Sequence, residues 1–186
     1  MLLFVGLGNP TPDSENNRHN VGFKIIDSIN KKFSLSKQKP KFKGLLTTGD
    51  IGNKKIYAIK PLTFMNNSGI CIREVIEYFK IDADDVVVFH DDLDVEFGKI
   101  KAKFGGSSAG HNGITSIDKF LGKDYSRVRV GIGKPKGTIE IGDYVLQNFD
   151  EEEALGIEKI LNNINDSLSI LVEKKLDLFS STVNNK

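Results

Sequence analysis

The sequence predicts a single α/β domain, and three features carry that prediction. Apolar runs without polar alternation, Leu2 to Leu7 and Val86 to Phe89, are typical of strands covered on both faces of a sheet. Segments with apolar residues at three- and four-residue spacing alternate with these runs, as amphipathic helices do. The 186 residues contain no internal repeat and no linker, and 39% hydrophobic with 27% charged residues predicts a soluble globular protein.

In the first third of the chain, a polar loop follows the first strand and leads into a helix. Residues 21–33 place their apolar side chains on one side, with Asn20 available as a cap. Residues 34–43 are polar and basic, which predicts a connection. Strands around 44–48 and 55–59 flank Gly52-Asn53, a turn signal that predicts a hairpin.

Further along, residues 72–79 predict a helix with Ile72, Val75, Ile76 and Phe79 on one side. The alternating segment 99–104 predicts a strand with one exposed basic face, and a glycine-rich loop then leads into a short helix over 114–121.

The last third predicts one strand and one long helix. Residues 127–132 alternate and end at Gly133, as a strand would. The acidic block 150–153 favours a helix start, and apolar periodicity continues to Val172. We therefore expect one domain over residues 1–179 and a flexible tail over 180–186.

The loop from Gly6 to Gly22 is the first candidate for chemistry. Its His19 has a side chain that takes up a proton near neutral pH, and its Asn9 offers an amide donor and acceptor for orienting a substrate. On this loop alone, a polar surface loop is the simpler interpretation.

Polar side chains also follow the other predicted strands, which strengthens the functional interpretation. Phe64 and Asn66 follow the strand that ends near Ile59, and Asp91 follows Val86 to Phe89. In open α/β sheets ligands bind outside the carboxyl ends of the strands, so these loops are expected to converge.

That convergence predicts a hydrolytic site. Asp91 could hold the far nitrogen of His19 while the imidazole takes a proton from water. Asparagine side chains, or backbone N–H groups at the helix start near Asn112, could stabilise the oxyanion. Such a site suits an activated ester better than an amide, because an ester needs less help with its leaving group.

The charge distribution predicts a polyanion-binding face on a nearly neutral molecule. Residues 99–136 hold nine Lys or Arg against two Asp, whereas residues 139–158 hold seven carboxylates and no base. Because 22 of the 26 basic residues are Lys, a solvated lysine-rich surface remains an alternative.

Other sites are less well supported. His90 to Asp94 could suggest a metal cluster, but no His or Cys pair has zinc spacing, and we expect no metal. The loop Gly105 to Gly110 resembles a P-loop, but His111 stands where Lys is required. His111 could simply support that loop.

A dinucleotide site and a reactive cysteine are also not supported. Gly6 and Gly8 lack the third glycine of a dinucleotide site. The single cysteine, Cys71, predicts a buried thiol in a reducing cytoplasm.

Five ordered blocks resemble the bacterial peptidyl-tRNA hydrolase family over essentially the whole chain: GLGNP with RHN, KPLTFMNNSG, HDDLDVEFGKIKAKFGG, GHNGITSI and RVRVGIGKP. The resemblance implies a twisted, mixed, mainly parallel sheet with helices on both faces. It also implies hydrolysis of the ester between peptide and tRNA by a cytoplasmic monomer, without cofactor or metal. No apolar run is long enough to cross a membrane and no leader is evident, so neither a membrane nor an obligate protein partner is expected.

Carried over by position, the resemblance makes His19 the base and Asp91 its partner, while Asn9 reads the peptide amide. Phe64, Asn66 and Asn112 would hold the CCA end and the substrate backbone, and Lys103 with Arg129 would grip phosphate of the acceptor stem. The chain departs from the family at Thr11, Ser14, Asn17 and Ala109, and Ser14 replaces a Tyr that contacts tRNA. A non-catalytic RNA-binding relative and a generic small-ester hydrolase are the alternative functions.

Overall fold

The computed structural model describes residues 1–186 and consists of one mixed sheet with helices on both faces, which confirms the predicted fold class. The strands are β1 Leu2–Gly6, β2 Lys39–Lys41, β3 Gly44–Ile51, β4 Lys54–Pro61, β5 Val86–Asp92, β6 Ile100–Phe104 and β7 Ser126–Gly131. The helices are α1 Val21–Lys32, α2 Ser68–Phe79, α3 Asn112–Leu121, α4 Ile141–Val145, α5 Glu151–Val172 and α6 Leu176–Asn184. None of the helices combines the length and hydropathy needed to cross a bilayer.

The seven strands lie in the order β2-β3-β4-β1-β5-β7-β6. The four central strands are parallel, whereas β2, β3 and β6 pair antiparallel with their neighbours at the two sides. Strand β1 pairs with β4 on one side and with β5 on the other. After β1 the chain therefore builds one half of the sheet first and then crosses to the other half. Such a switch point opens a crevice at the carboxyl ends of the strands, and the loop that carries His19 begins there.

Two apolar cores lie on opposite faces of the sheet. The larger contains 23 buried residues and unites α1, α5 and α6, and the smaller contains 14 and unites α2 and α3. Along β1, Leu2 and Phe4 belong to the larger core while Leu3 and Val5 belong to the smaller. Both faces of the strand are therefore buried, which is why its sequence is apolar without alternation.

The predicted flexible tail at 180–186 is helical as far as Asn184. In α6, Phe179 and Val183 are buried in the larger core. Ser180 Oγ accepts a hydrogen bond from the backbone N–H of Ala102 at 2.8 Å. Asn184 accepts from the N–H of Ile100 at 2.9 Å and donates to its carbonyl at 2.8 Å. These side chains occupy the open edge of β6, which would otherwise expose unpaired backbone groups.

Candidate active site

Close packing of glycines brings the loop after β1 against the ends of two strands. A Cβ atom at Gly22 would lie 2.4 Å from the backbone nitrogen of Leu7 and 2.5 Å from the carbonyl oxygen of Phe89. A Cβ at Gly6 would lie 2.2 Å from the oxygen of Gly22. No side chain fits at either position, so the start of α1 can sit directly over the sheet edge. The short 3₁₀ turn Arg18–Asn20 precedes that helix.

His19 and Asp91 are in direct contact, as the sequence predicted. His19 Nδ1 lies 2.9 Å from Asp91 Oδ2 and 3.0 Å from Oδ1, and both residues are buried. Because an ionised carboxylate can only accept, Nδ1 carries the proton and donates it to Asp91. The other ring nitrogen, Nε2, therefore keeps its lone pair.

His111 is a second imidazole on Asp91, a contact the sequence did not reveal. Its Nε2 lies 3.0 Å from Asp91 Oδ1. Its Nδ1 caps α3 by accepting from the backbone N–H groups of Gly113 at 3.1 Å and Ile114 at 3.3 Å. A nitrogen that accepts two N–H bonds carries no proton, so Nε2 is the protonated atom and donates to Asp91. The only signal in the sequence was the position of His111 just before a helix.

His90 completes a cluster that contains all three histidines of the chain. Its Nδ1 donates to the carbonyl oxygen of Asp91 at 2.7 Å, and its Nε2 is buried without a hydrogen-bond partner. Burial, aided by His111, lowers the pKa of His90 to about 3, so this ring is neutral near pH 7.

The Asp91 carboxylate remains ionised in this cluster. Its burial by itself would raise its pKa, but His19 and His111 favour the charged form more strongly and hold the pKa well below its usual range. A permanent negative charge therefore lies beside His19 Nδ1, where it can stabilise an imidazolium.

The donor set of His19, Asp91 and His111 is compact enough to suggest a metal site. A metal on His111 would need the lone pair of Nε2, which would move that proton to Nδ1. A protonated Nδ1 would then face the N–H groups of Gly113 and Ile114, donor against donor. The capping bonds of α3 therefore oppose metal binding at this cluster.

Asn9 is held in one orientation by two neighbours. The side chain of Asn20 bonds both the backbone N–H and the carbonyl of Asn9, each at 2.9 Å. The side-chain oxygen of Asn9 accepts from the backbone N–H of Met65 at 2.8 Å. Asn9 thus has its Nδ2 group left to offer, and that group only donates.

Met65 connects Asn9 to the histidine cluster. A Cβ at Gly113 would lie 2.5 Å from Met65 Sδ and 3.2 Å from His111 Cε1, so both side chains pack closely against this glycine. The neighbours Phe64 and Asn66 are both exposed, and Phe64 adopts φ 65° and ψ 157°. That conformation is strained for a residue with a side chain and is common at functional sites.

Asn112 and the three histidines line one cavity of about 620 Å³, together with Asp91 and Val145. A second, larger groove of about 910 Å³ is lined by Asn9 and Asn20 and contains no histidine. Proton-transfer chemistry is therefore possible in the smaller cavity. Ser14 is buried and bonded to Thr11 Oγ1 at 2.6 Å, and it lines neither of these two cavities.

The basic residues lie on the neighbouring strands β6 and β7. Lys103 is exposed, whereas the guanidinium of Arg129 donates to Asp92 at 2.7 Å. In the antiparallel ladder, Lys103 pairs with Arg127 and Lys101 pairs with Arg129. Lys103 and Arg129 are therefore diagonal neighbours, with their Cα atoms about 7–8 Å apart. Only Lys103 of this pair is free of a carboxylate partner.

Comparisons with known proteins identify one family of related chains. The family model described as peptidyl-tRNA hydrolase matches residues 3–186. The chain is 77% identical to the peptidyl-tRNA hydrolase of Pelagibacter ubique (strain HTCC1062), over 100% of both chains. It is 43% identical to the enzyme of Gluconobacter oxydans (strain 621H), over 98% of this chain and 97% of that one. The crystal structure of peptidyl-tRNA hydrolase from Acinetobacter baumannii superposes with a TM-score of 0.92 and 28% identity, over 99% of this chain and 94% of that one.

Proposed function

Because the chain belongs to the peptidyl-tRNA hydrolase family, it hydrolyses the ester between peptide and tRNA, and we propose that His19 is the general base of that reaction. The observation that carries the proposal is the buried contact between His19 Nδ1 and Asp91. It leaves Nε2 as the basic atom of the ring.

In the proposed mechanism, a water molecule attacks the ester carbonyl carbon while His19 Nε2 removes its proton. The resulting imidazolium is stabilised by the Asp91 carboxylate, which His111 holds from the other side. When the tetrahedral intermediate collapses, Nε2 returns the proton to the ribose oxygen that leaves. No metal takes part in these steps.

Asn112 is the proposed donor to the developing oxyanion. The backbone N–H groups of Gly113 and Ile114, which the sequence suggested as further donors, are already bonded to His111. The exposed side chain of Asn112, on the wall of the His19 cavity, keeps its amide free.

We propose that Asn9 distinguishes peptidyl-tRNA from aminoacyl-tRNA through its Nδ2 donor. Its oxygen is occupied by Met65, so Asn9 can bond the carbonyl oxygen of an acyl group on the substrate nitrogen. An unblocked aminoacyl-tRNA carries an ammonium there, which would meet a donor instead of an acceptor. Phe64 and Asn66 would hold the CCA end beside it.

Lys103 is proposed to contact a phosphate of the acceptor stem, with Arg129 joining once it exchanges Asp92 for phosphate. A monomer suffices for this function, because one chain supplies every residue of the site. A cytoplasmic location follows from a substrate that arises during translation.

The experiment is release of N-acetyl amino acid from charged tRNA by wild type and His19→Ala. The variant should remain folded, bind tRNA and lose about 10²- to 10⁴-fold in kcat. Ser36→Ala, on an exposed loop away from the cavity, is the matched control. Undiminished kcat in His19→Ala would refute the proposed base.

A further inference from the structure

Arg18 immediately precedes His19, and its side chain is tied to a different part of the molecule. The residue is 7% exposed. Its Nη1 donates to the carbonyl oxygens of Tyr144 at 3.4 Å, Gln147 at 3.3 Å and Asn148 at 3.3 Å. These carbonyls lie at and just beyond the end of α4, where a helix leaves its last acceptors unpaired.

Three further contacts complete the attachment. Nη2 of Arg18 donates to Glu153 at 2.9 Å, and Glu153 also caps the start of α5. The guanidinium carbon lies 4.2 Å from the ring centroid of Tyr144, which is within the range of a cation–π contact. The backbone N–H of Arg18 also donates to the carbonyl of Gln147 at 3.0 Å.

Helix α4 forms one wall of the His19 cavity, and besides the contacts of Arg18 it has few attachments. One is just beyond the helix, where the backbone N–H of Phe149 donates to the carbonyl oxygen of Asn16 at 3.1 Å. Ile141, Gly142 and Val145 line that cavity. Tyr144 and Val145 form only a small apolar cluster with Ile132, and the Tyr144 hydroxyl donates to the carbonyl of Ile132 at 2.8 Å. The preceding residues, 133–140, contain no helix or strand and are mostly exposed.

We propose that Arg18 is a positioning residue that holds the α4 wall at a set distance from His19, so that the acyl part of the substrate fits between them. The Arg18 guanidinium holds α4, and Arg18 is the backbone neighbour of His19, so α4 and His19 move together. The proposal rests on the proposed function in one respect: it takes the substrate ester to lie in the His19 cavity.

Without the anchor, α4 would spend part of its time away from the cavity. Substrate would then bind only to the fraction of molecules in which the wall is in place, which raises the apparent KM in inverse proportion to that fraction. The chemical step in a correctly bound complex would be unchanged, because the contact of His19 with Asp91 does not involve Arg18.

The test uses Arg18→Gln, Arg18→Lys and the matched control Arg73→Gln, in which an exposed arginine loses its pairing with Glu77. Hydrolysis of N-acetyl-aminoacyl-tRNA is measured per active site, and amide hydrogen exchange is measured over residues 141–149. In Arg18→Gln we expect a KM about tenfold higher, which corresponds to about 1.4 kcal/mol, with kcat and its pH profile retained. Amide hydrogen exchange over residues 141–149 should be faster in Arg18→Gln. Arg18→Lys should show smaller changes in both KM and exchange, and Arg73→Gln should match wild type in both.

Faster exchange with an unchanged KM would overturn the proposal, because Arg18 would then be structural only. A lower kcat with an unchanged KM, or unaltered exchange, would also overturn it. If Arg18→Gln does not fold, Glu153→Gln keeps a residue able to cap α5 and removes only the ion pair, and it should raise KM in the same direction. An unchanged KM in that variant would overturn the proposal. Failure of the proposed function would instead appear as full activity in His19→Ala, which leaves the exchange result untouched.

Discussion

Replacing Asp91 by Asn should inactivate the site by forcing the wrong tautomer on His19. An amide has one acceptor oxygen and one donor nitrogen, whereas Asp91 accepts N–H bonds from both His19 and His111. His111 cannot change its tautomer, because its Nδ1 must accept from Gly113 and Ile114. The amide oxygen will therefore take the Oδ1 position, which faces both His111 and His19, and the amide nitrogen will take the Oδ2 position, 2.9 Å from His19 Nδ1.

The amide nitrogen will then face His19 and donate to its Nδ1. That moves the proton of His19 to Nε2, the atom that has to accept a proton from water. A wrong-tautomer replacement of the same kind costs about 10⁴-fold in kcat in the Ser-His-Asp triad, and we expect about 10³- to 10⁴-fold for Asp91→Asn. KM should change little, because no substrate contact is removed.

A second substitution, at His111, tests whether the tautomer of His19 limits the activity of Asp91→Asn. In the double variant Asp91→Asn with His111→Gln, the residue at 111 can present either a donor or an acceptor, so the introduced amide can turn its oxygen toward His19. The double variant should be about tenfold more active than Asp91→Asn alone or better, which corresponds to about 1.4 kcal/mol. The assay is release of N-acetyl amino acid from tRNA, and ¹⁵N chemical shifts of the His19 ring report the tautomer. Activity of Asp91→Asn within tenfold of wild type, or a double variant no more active than the single one, would refute the argument.

Three further predictions follow from particular residues. Phe64→Gly should leave the free energy of unfolding within about 1 kcal/mol of wild type, because relief of backbone strain offsets lost packing. The same variant should have a higher KM. If its melting temperature matches wild type and its KM is also unchanged, Phe64 does not bind substrate. The lowered pKa of His90 means that the unfolded chain binds an extra proton below its ordinary pKa of about 6.5, so this contribution to stability is complete above that pH and is lost as the pH falls toward about 3. Urea unfolding of His90→Asn should accordingly show a shallower fall of stability between these pH values, and an unchanged slope would count against the buried neutral ring. Lys103→Gln should reduce the slope of log affinity for tRNA against log salt concentration by about 0.7 to 0.9. Lys55→Gln, on the distant strand β4, should leave this slope unchanged. A slope in Lys103→Gln equal to that of wild type would mean that Lys103 contacts no phosphate.

Local pattern was sufficient for most of the elements of the fold. The apolar run of β1, the hairpin around Gly52 and the start of α5 at the acidic block 150–153 were all predicted, and the structure contains them. Each leaves a local pattern in the sequence: a continuous apolar run, a turn residue, or carboxylates in the first turn of a helix. The contact of His19 with Asp91 was also predicted, because carboxyl ends of adjacent parallel strands meet at one edge of a sheet.

Tertiary structure decided which partners the polar groups of the site have. The second imidazole on Asp91, the pairing of Arg129 with Asp92, and the attachment of Arg18 to α4 each join segments that sequence spacing does not relate. The helix at 176–184 is a further case, since Ser180 and Asn184 bond an edge strand about eighty residues earlier in the chain. Periodicity records whether a side chain is buried, since burial repeats with the helix or the strand. Hydrogen-bond partners depend on the relative positions of separate elements, and those are set only when the sheet and its two cores assemble.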